Sequence, residues 1–148
     1  MLSTNAKNIA MEIRSYQTQD TSEIIELWQS CGLTVPWNNP GKDISRKLKV
    51  QPELFLVGVL EAKIVASAMA GYDGHRGWIY YLAVDPDCRN KGFGRMLVEA
   101  VAARLKSMGC PKLNIMVRST NEAVIEFYQT IGFQKDDVVC LGSRLAED

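Results

Sequence analysis

The most informative part of the sequence is WIYYLAVDPDCRNKGFGR, residues 78–95. It joins a run of apolar and aromatic residues, typical of a buried strand, to a helix that begins near Phe93. Gly92 and Gly94 lie at this junction and let a ligand approach the backbone closely. Free N–H groups at the start of a helix favour negative charge. The stretch therefore predicts a strand followed by a phosphate-binding loop.

Two better-known nucleotide-binding patterns do not fit this loop. A P-loop needs Gly-Lys followed by Ser or Thr, and the dinucleotide fingerprint needs a third Gly. Here Arg89, Lys91 and Arg95 surround the glycines instead, and Met96 follows. The alternative to a phosphate site is a helix N-terminus that carries ordinary surface cations.

Over the rest of the chain, hydrophobic periodicity and turn residues predict an α/β fold with a mixed sheet. We expect about six to seven strands, a central parallel pair and four flanking helices. The strands at 78–84 and 112–117 form the parallel pair, joined by a right-handed crossover through a helix at 93–108. The other expected elements are a strand at 12–16, a helix at 20–31, a short helix capped by Asp43 that runs to Val50, a hairpin of strands at 54–60 and 64–70, a helix at 119–131, and one or two last strands at 138–145.

Length and charge bound the domain organisation and the partners. The 148 residues, 47% of them apolar, suffice for one domain, expected over 11–148, with 1–10 as a flexible N-terminal extension. Seventeen basic and seventeen acidic residues give zero formal net charge, which disfavours nucleic acid as a partner. We see no export signal and no apolar run long enough to span a bilayer. The expectation is a cytoplasmic protein with no membrane partner.

The cysteine and histidine content argues against metal chemistry. The four cysteines are scattered with no Cys-x-x-Cys pair, and there is one histidine. A zinc site needs three or four close N or S ligands, so no metal is expected.

Two motifs of this chain resemble signatures of the GNAT family of N-acetyltransferases. The first is Arg-x-x-Gly-x-Gly at 89–94, after a strand that ends in Leu-Ala-Val-Asp-Pro and at the start of a helix. The second is Asn121 followed by Phe127-Tyr128-x-x-x-Gly-Phe. With the matching order of elements, the resemblance covers about residues 11–145. It implies acetyl-CoA as co-substrate and direct transfer of its acetyl group to a primary amine.

The resemblance also assigns residues to coenzyme A. The strand end would pair its backbone with the pantetheine arm, the loop would hold the pyrophosphate, and Asn121 would bond the pantetheine. Tyr128 would stand near the thioester sulfur and protonate the departing thiolate; the alternative is a Tyr packed on the inner face of its helix. The implied contacts are Leu82, Ala83, Val84, Arg89, Asn90, Lys91, Gly92, Phe93, Gly94, Arg95, Asn121 and Tyr128.

The sequence leaves the general base open. In the ribosomal-protein alanine acetyltransferases, a branch of the family, a Glu lies on the strand that corresponds to 112–117. This chain has Met116 at the matching position, and neither central strand carries a carboxylate. Asp73 and His75 lie in the turn before the strand at 78–84 and are candidate bases. The alternative for them is turn chemistry and an exposed histidine.

The candidates for the acceptor pocket are Trp37, Asn38 and Tyr80. Trp37 and Asn38 lie between the first two helices, where the family shapes this pocket. The loops at 37–40 and 72–77 together resemble the small stand-alone YpeA-type bacterial acetyltransferases, a branch that implies no particular acceptor.

The sequence is compatible with three functions. The first is an N-acetyltransferase whose acceptor is a small-molecule amine or a protein amino group. The alternative is a CoA-binding regulatory module without turnover, which the missing strand carboxylate favours and Tyr128 opposes. A tRNA-modifying acetyltransferase is disfavoured by the zero net charge. Exposed terminal strands are also typical of chains that pair as homodimers.

Overall fold

A computed structural model describes residues 10–148, and residues 1–9 of the expected extension lie outside the described part. It contains five strands and four α-helices, with short 3₁₀ turns between them. In chain order these elements are β1 (Glu12–Ser15), α1 (Thr21–Ser30), α2 (Pro40–Lys47), β2 (Phe55–Leu60), β3 (Lys63–Tyr72), β4 (Gly77–Val84), α3 (Phe93–Ser107), β5 (Leu113–Ile115) and α4 (Glu122–Thr130).

The strands form one mixed sheet in the order β1-β2-β3-β4-β5. The first four are antiparallel neighbours, and β4 pairs with β5 in parallel after the α3 crossover. The predicted mixed sheet, its parallel pair and its four helices are therefore confirmed. The parallel ladder joins Gly77, Trp78 and Ile79 to β5 and is not seen beyond Ile79 in the part of the chain that the structure describes.

The core has two layers, one on each face of the sheet. Successive residues of a strand point to opposite faces, and in β2 Phe55 and Leu56 are both fully buried, so the sheet is covered on both sides. Leu56 packs in a cluster with Leu97 of α3, whereas Phe55 packs in a second cluster with Trp28 of α1. Burial of each such side chain contributes about 1.5–3 kcal/mol.

The predicted strands at 138–145 are wrong, and the described sheet has five strands instead of six or seven. The segment is rich in apolar and β-branched residues, but Val138 and Val139 are 78% and 84% exposed. A strand needs a partner edge and a face to bury. β5, the neighbouring edge strand, is three residues long and offers too short a ladder.

The start of α2 also differs from the prediction. Asp43 does not cap this helix; Asn39 does, and its side chain accepts the Lys42 N–H at 3.1 Å. Pro40 follows as the first helical residue, where its missing N–H and fixed φ are favourable. The earlier start leaves Asp43 in the first turn of α2, with its side chain free to act elsewhere.

An ion pair between Arg14 and Asp20 joins β1 to the start of α1. Two hydrogen bonds of 2.7 and 3.0 Å connect them, and the buried carboxylate also accepts the Gln17 N–H at 2.8 Å. The hydrogen bonds from the Arg14 guanidinium hold the pKa of Asp20 below its ordinary value.

We expect Asp20→Asn to lower the free energy of unfolding by about 2 kcal/mol at neutral pH, because Arg14 loses its charged acceptor. The folded-state pKa of Asp20 lies below the unfolded value of about 3.9. The carboxylate therefore stabilises the fold above pH ~4, and this is lost as the pH falls through the folded-state pKa. Urea unfolding as a function of pH measures the difference, which should shrink in acid. Asp137→Asn, at an exposed site, is the control; a pH-independent loss for Asp20→Asn contradicts the assignment.

Candidate active site

A cavity of about 770 Å³ opens where β4 and β5 separate. This volume lies in the range of small-molecule sites. One wall is the second half of β4, and the opposite wall is the segment after β5 together with α4. The lining residues used below are Tyr80, Tyr81, Leu82, Met116, Arg118, Asn121 and Tyr128 on these walls, with Asn38, Asp43, Arg46 and Lys47 at the end formed by α2 and the loop before it.

The separation of the strands coincides with a bulge in β4. In the ladder with β3, Ser67 lies opposite Ala83 and Met69 opposite Tyr80, so β4 carries one extra residue between these pairs. Tyr81, within the bulge, has φ 51°, in the left-handed region that residues with a side chain rarely adopt. The bulge increases the local twist and turns the rest of β4 away from β5.

Buried contacts hold Tyr81 in this conformation. Its carbonyl accepts a hydrogen bond from Ser67 Oγ at 2.8 Å, and Ser67 Oγ in turn accepts from Trp28 Nε1 at 2.8 Å. The Tyr81 ring stacks on Trp28 with centroids 3.8 Å apart. Ser67 and Trp28 are both fully buried, so the strained backbone rests on the rigid core.

Beyond the bulge, β4 has β3 on one side and no described strand on the other. This half contains the predicted residues Leu82, Ala83 and Val84. The Val84 carbonyl accepts from Arg89 Nε at 3.4 Å and from Cys31 Sγ at 3.3 Å. An extended ligand can add to such an edge as a further strand.

The loop before α3 presents free backbone donors. Gly92 caps α3 with φ 80°, and Asn90 also has a positive φ of 63°. The cap makes no side-chain hydrogen bond, and Met96 N–H bonds to Gly92 O at 3.0 Å. In the described structure no protein acceptor is found for the backbone N–H groups of Phe93, Gly94 and Arg95.

Cations surround this helix start. Arg95 pairs with Glu99 at 2.9 Å on the exposed face of α3, and Lys91 is exposed. The loop from Arg89 to Arg95 thus combines cationic side chains with free backbone N–H groups, an arrangement that favours an anion.

Gly94 has a packing role that the sequence did not show. A Cβ at this position would lie 3.3 Å from Phe127 Cζ and 3.6 Å from Val84 Cγ2. The missing side chain therefore lets the start of α3 lie against α4. Phe127 in turn meets the Tyr128 ring edge-on, with centroids 5.1 Å apart.

Tyr128 lies on the inner face of α4 and lines the cavity. The residue is 6% exposed, and its ring also packs edge-on against Phe133. No hydrogen-bond partner of its hydroxyl is found in the described part of the chain, yet this oxygen is not among the fully enclosed ones. Burial raises the pKa of Tyr128 above its ordinary value, so the phenol stays protonated at neutral pH.

Asn121 is the N-cap of α4. Its side-chain oxygen accepts the Val124 N–H at 3.4 Å, and the residue lines the cavity. One end of the amide is thus used by the helix, which leaves the NH₂ group as the donor for a ligand.

The sequence did not reveal the end of the cavity formed by α2. Tyr81 donates a hydrogen bond to Asp43 Oδ2 at 2.6 Å, and Arg46 donates to Asp43 Oδ1 at 3.2 Å. Burial, and secondarily Asp43, raises the pKa of Tyr81. The available signal was the spacing of Asp43, Arg46 and Lys47, which lie at i, i+3 and i+4 of one short helix and so share a face.

Of the three residues predicted for the acceptor pocket, two line the cavity and one does not. Asn38 and Tyr80 line it, and burial raises the pKa of Tyr80. Trp37 is half exposed and does not line it, although its ring lies 5.2 Å from the guanidinium carbon of Arg118, which does.

Asp73 and His75 lie in the turn between β3 and β4, away from the cavity lining. Asp73 Oδ1 accepts the backbone N–H groups of His75 and Arg76 at 2.8 and 2.7 Å. The hydrogen bond from Arg76, followed by that from His75, lowers the pKa of Asp73 and makes it a weaker base. This is the turn chemistry that the sequence offered as the alternative.

Two further features concern the described residues 10–148. No helix in this range is long and apolar enough to cross a membrane. Nor does the range contain a group of three His, Cys, Asp or Glu side chains placed to hold a metal ion.

Comparison with known proteins identifies the class to which this fold and site belong. The model of the acetyltransferase (GNAT) family matches residues 15–133. The acetyltransferase YE1169 of Yersinia enterocolitica is 51% identical over 138 residues, which is 93% of this chain and 98% of that protein. The chain therefore belongs to the GNAT family of N-acetyltransferases, enzymes that take their acetyl group from acetyl-CoA.

Solved structures of GNAT proteins share the fold. The ribosomal-protein-S18-alanine N-acetyltransferase of Escherichia coli is 25% identical with a TM-score of 0.71, over 86% of this chain and 79% of that one. The PaiA N-acetyltransferase of Thermoplasma acidophilum, solved with coenzyme A, has a TM-score of 0.75 at 19% identity, over 88% and 93% of the two chains.

We expect Gly94→Val to lower the free energy of unfolding by about 1–3 kcal/mol, because a branched side chain overpacks the contact with Phe127. Gly142→Val is the matched control, since no atom lies within 4 Å of a Cβ at Gly142. Denaturant unfolding of both variants measures the difference. Equal stability of the two variants would contradict the packing role of Gly94.

Proposed function

We propose that this enzyme moves the acetyl group of acetyl-CoA directly to a primary amine, with Tyr128 as the general acid. The observation that carries the proposal is the Tyr128 hydroxyl, which has no described protein partner and lies on a cavity between two diverging strands. The unpaired edge of β4 and the free donors of α3 are neighbours, since Gly94 packs close to Val84, and they are complementary to the pantetheine arm and the pyrophosphate of CoA.

Coenzyme A would lie along this path in an extended form. The pantetheine amides would pair with the backbone of Leu82 to Val84, as an added strand does. Its pyrophosphate would meet the N–H groups at the start of α3, where the helix dipole and Lys91 favour negative charge. The NH₂ group of Asn121 would donate a hydrogen bond to the pantetheine arm.

The reaction forms one C–N bond and breaks one C–S bond. The acceptor is a free amine when it attacks, because an ammonium with a pKa near 10.4 has no lone pair to offer. Its nitrogen attacks the thioester carbon, and the sulfur leaves as a thiolate that takes the proton of Tyr128. The acylated nitrogen then loses a proton and the Tyr128 phenolate regains one. The balance is one proton released to solvent for each ammonium consumed.

Burial explains why a weak acid such as a phenol is suitable here. The surroundings that raise the pKa of Tyr128 also disfavour a bare thiolate, because both effects come from loss of hydration. A sulfur leaving into this cavity therefore gains more from protonation than it would in water. Asp73 and His75 have no part in this proposal because they lie outside the cavity lining.

We expect Tyr128→Phe to lower kcat by about 10²–10⁴-fold while acetyl-CoA binding is unchanged, since only the proton donor is removed. Release of CoA thiol, measured over a panel of amino acids, diamines, amino sugars and short peptides, gives kcat on the best acceptor. The loss should shrink for acetyl thioesters with a more acidic leaving thiol. Tyr72→Phe is the control, since its hydroxyl bonds to Gly74 O in an exposed turn.

A Tyr128→Phe enzyme that keeps full kcat while chemistry is rate-limiting shows that Tyr128 is structural. If the wild type binds acetyl-CoA but turns over no member of the panel, the chain is a CoA-binding regulatory module instead.

The second prediction concerns Gly92. Gly92→Ala should weaken CoA binding by roughly 10-fold or more, because Ala disfavours the positive φ that aims the amides of the loop at one point. Gly109→Ala is the matched control, since Gly109 has a similar φ of 86° and open space at its Cβ. Each variant should lose about 1–2 kcal/mol of stability. Calorimetric titration with CoA separates them, and equal CoA affinity in both variants overturns the loop assignment.

A further inference from the structure

The end of the cavity formed by α2 is charged, in contrast to its largely apolar walls. The charged side chains that line the cavity are Asp43, Arg46 and Lys47 of α2, together with Arg118. Within the described residues this gives three cations and one carboxylate. Asp43 and Arg46 already have partners within the protein, whereas no carboxylate partner of Lys47 or Arg118 is found among the described residues.

Lys47 is the cation whose charge is least compensated. The residue is partly buried, and no hydrogen bond or ion pair of its ammonium is found in the part of the chain that the structure describes. Burial lowers the pKa of Lys47, opposed only by the more distant charge of Glu53. An ordinary surface lysine keeps its ammonium hydrated, so a partly desolvated ammonium on a cavity wall suits an anionic ligand.

The neighbouring Arg46 shows that this surface accepts a carboxylate. Its two terminal nitrogens donate to the Asp148 side chain at 2.6 and 3.1 Å, and the Asp148 carboxylate is 3% exposed. The hydrogen bonds from Arg46 lower the pKa of Asp148 to about 2. Arg46, which lines the cavity, therefore already binds one carboxylate through two hydrogen bonds.

Asp43 supplies the opposite charge one helical turn before Lys47. Tyr81 fixes its Oδ2 at 2.6 Å, and Tyr81 is itself held by the bulge of β4. Residues at i and i+4 of a helix have Cβ atoms about 5–6 Å apart. That spacing accommodates a small molecule whose ammonium and carboxylate are separated by one or two carbon atoms.

We propose that the acceptor is a small amine that also carries a carboxylate, such as an α-amino acid, with its ammonium at Asp43 and its carboxylate at Lys47. The inference rests on the proposed amine acetylation and names the acceptor class. A protein lysine or a diamine offers a cation without an adjacent carboxylate and leaves Lys47 unpaired.

The test uses acceptor pairs that differ in one carboxyl group: phenylalanine and phenethylamine, lysine and cadaverine, histidine and histamine. CoA thiol release gives kcat/KM for each member, and calorimetry with the CoA-saturated protein gives the affinity for each amino acid without turnover. The wild type should prefer the carboxylate-bearing member of at least one pair. For that amino acid, Lys47→Met should lower kcat/KM by about 10- to 100-fold, mainly through KM.

Three comparisons make the result specific. Lys47→Met should not lower kcat/KM for the carboxyl-free amine, since no carboxylate contact is lost there and a repelling cation is removed. Lys47→Arg should retain much of the preference because the charge is kept. Lys49→Met, at an exposed position outside the cavity lining, should leave the preference unchanged.

The proposal is overturned if the wild type prefers the carboxyl-free members, or if Lys47→Met weakens both members equally. The experiment distinguishes a failure of the proposed acetylation from a failure of the proposed carboxylate site. If no amine reacts but an amino acid binds and Lys47→Met abolishes that binding, the subsite stands and the proposed acetylation fails. If no amino acid of the panel binds or reacts, the subsite is wrong. Should Lys47→Met not fold, Lys47→Arg and the wild-type preferences decide.

Discussion

The whole site depends on one bulged residue, Tyr81. Its left-handed backbone lies in a bulge that gives β4 one extra residue relative to β3, and β4 then leaves β5 after a ladder of three residues. A non-glycine residue in this conformation is strained by about 1–2 kcal/mol. Stacking on Trp28 and the hydrogen bond from Ser67 offset that cost inside the core.

The same bulge connects the two ends of the cavity. Past Tyr81, the free edge of β4 faces the path proposed for coenzyme A, and the side chain of Tyr81 reaches the other way to Asp43 on α2. A change in this residue would therefore alter both the region proposed for the donor and the region proposed for the acceptor.

The two ends of the cavity differ in their electrostatic surroundings. Around Tyr128 the surroundings are aromatic, and burial raises the pKa of the phenol and keeps it protonated. On α2 the surroundings are charged, with Arg46 gripping Asp148 and Lys47 partly desolvated. The strand segment between them carries Met116, where the sequence shows no carboxylate. The charges proposed to bind the acceptor are therefore supplied by α2, which packs on the face of the sheet opposite to α3.

Local sequence determined the elements, the parallel pair and the loop before α3. Periodicity and glycines marked α3, and the order of elements placed Tyr128 on the inner face of α4, because these signals act over a few turns of chain. The same reasoning failed at Val138, where strand-forming residues lack an edge to pair with, and at Asp43, where Asn39 and Pro40 start the helix earlier.

Only the tertiary structure decided the acceptor end and the bulge. Asp43 and Tyr81 are 38 residues apart in sequence and meet because the chain between them forms β2 and β3 and then returns in β4 to the side of α2. No local sequence pattern predicts this contact, since it depends on how α2 packs against the sheet. The positive φ of Tyr81 is likewise imposed by Trp28 and Ser67, which local preference would not select. Local sequence thus positioned the residues proposed to bind the donor, and the packing of distant segments positioned those proposed to bind the acceptor.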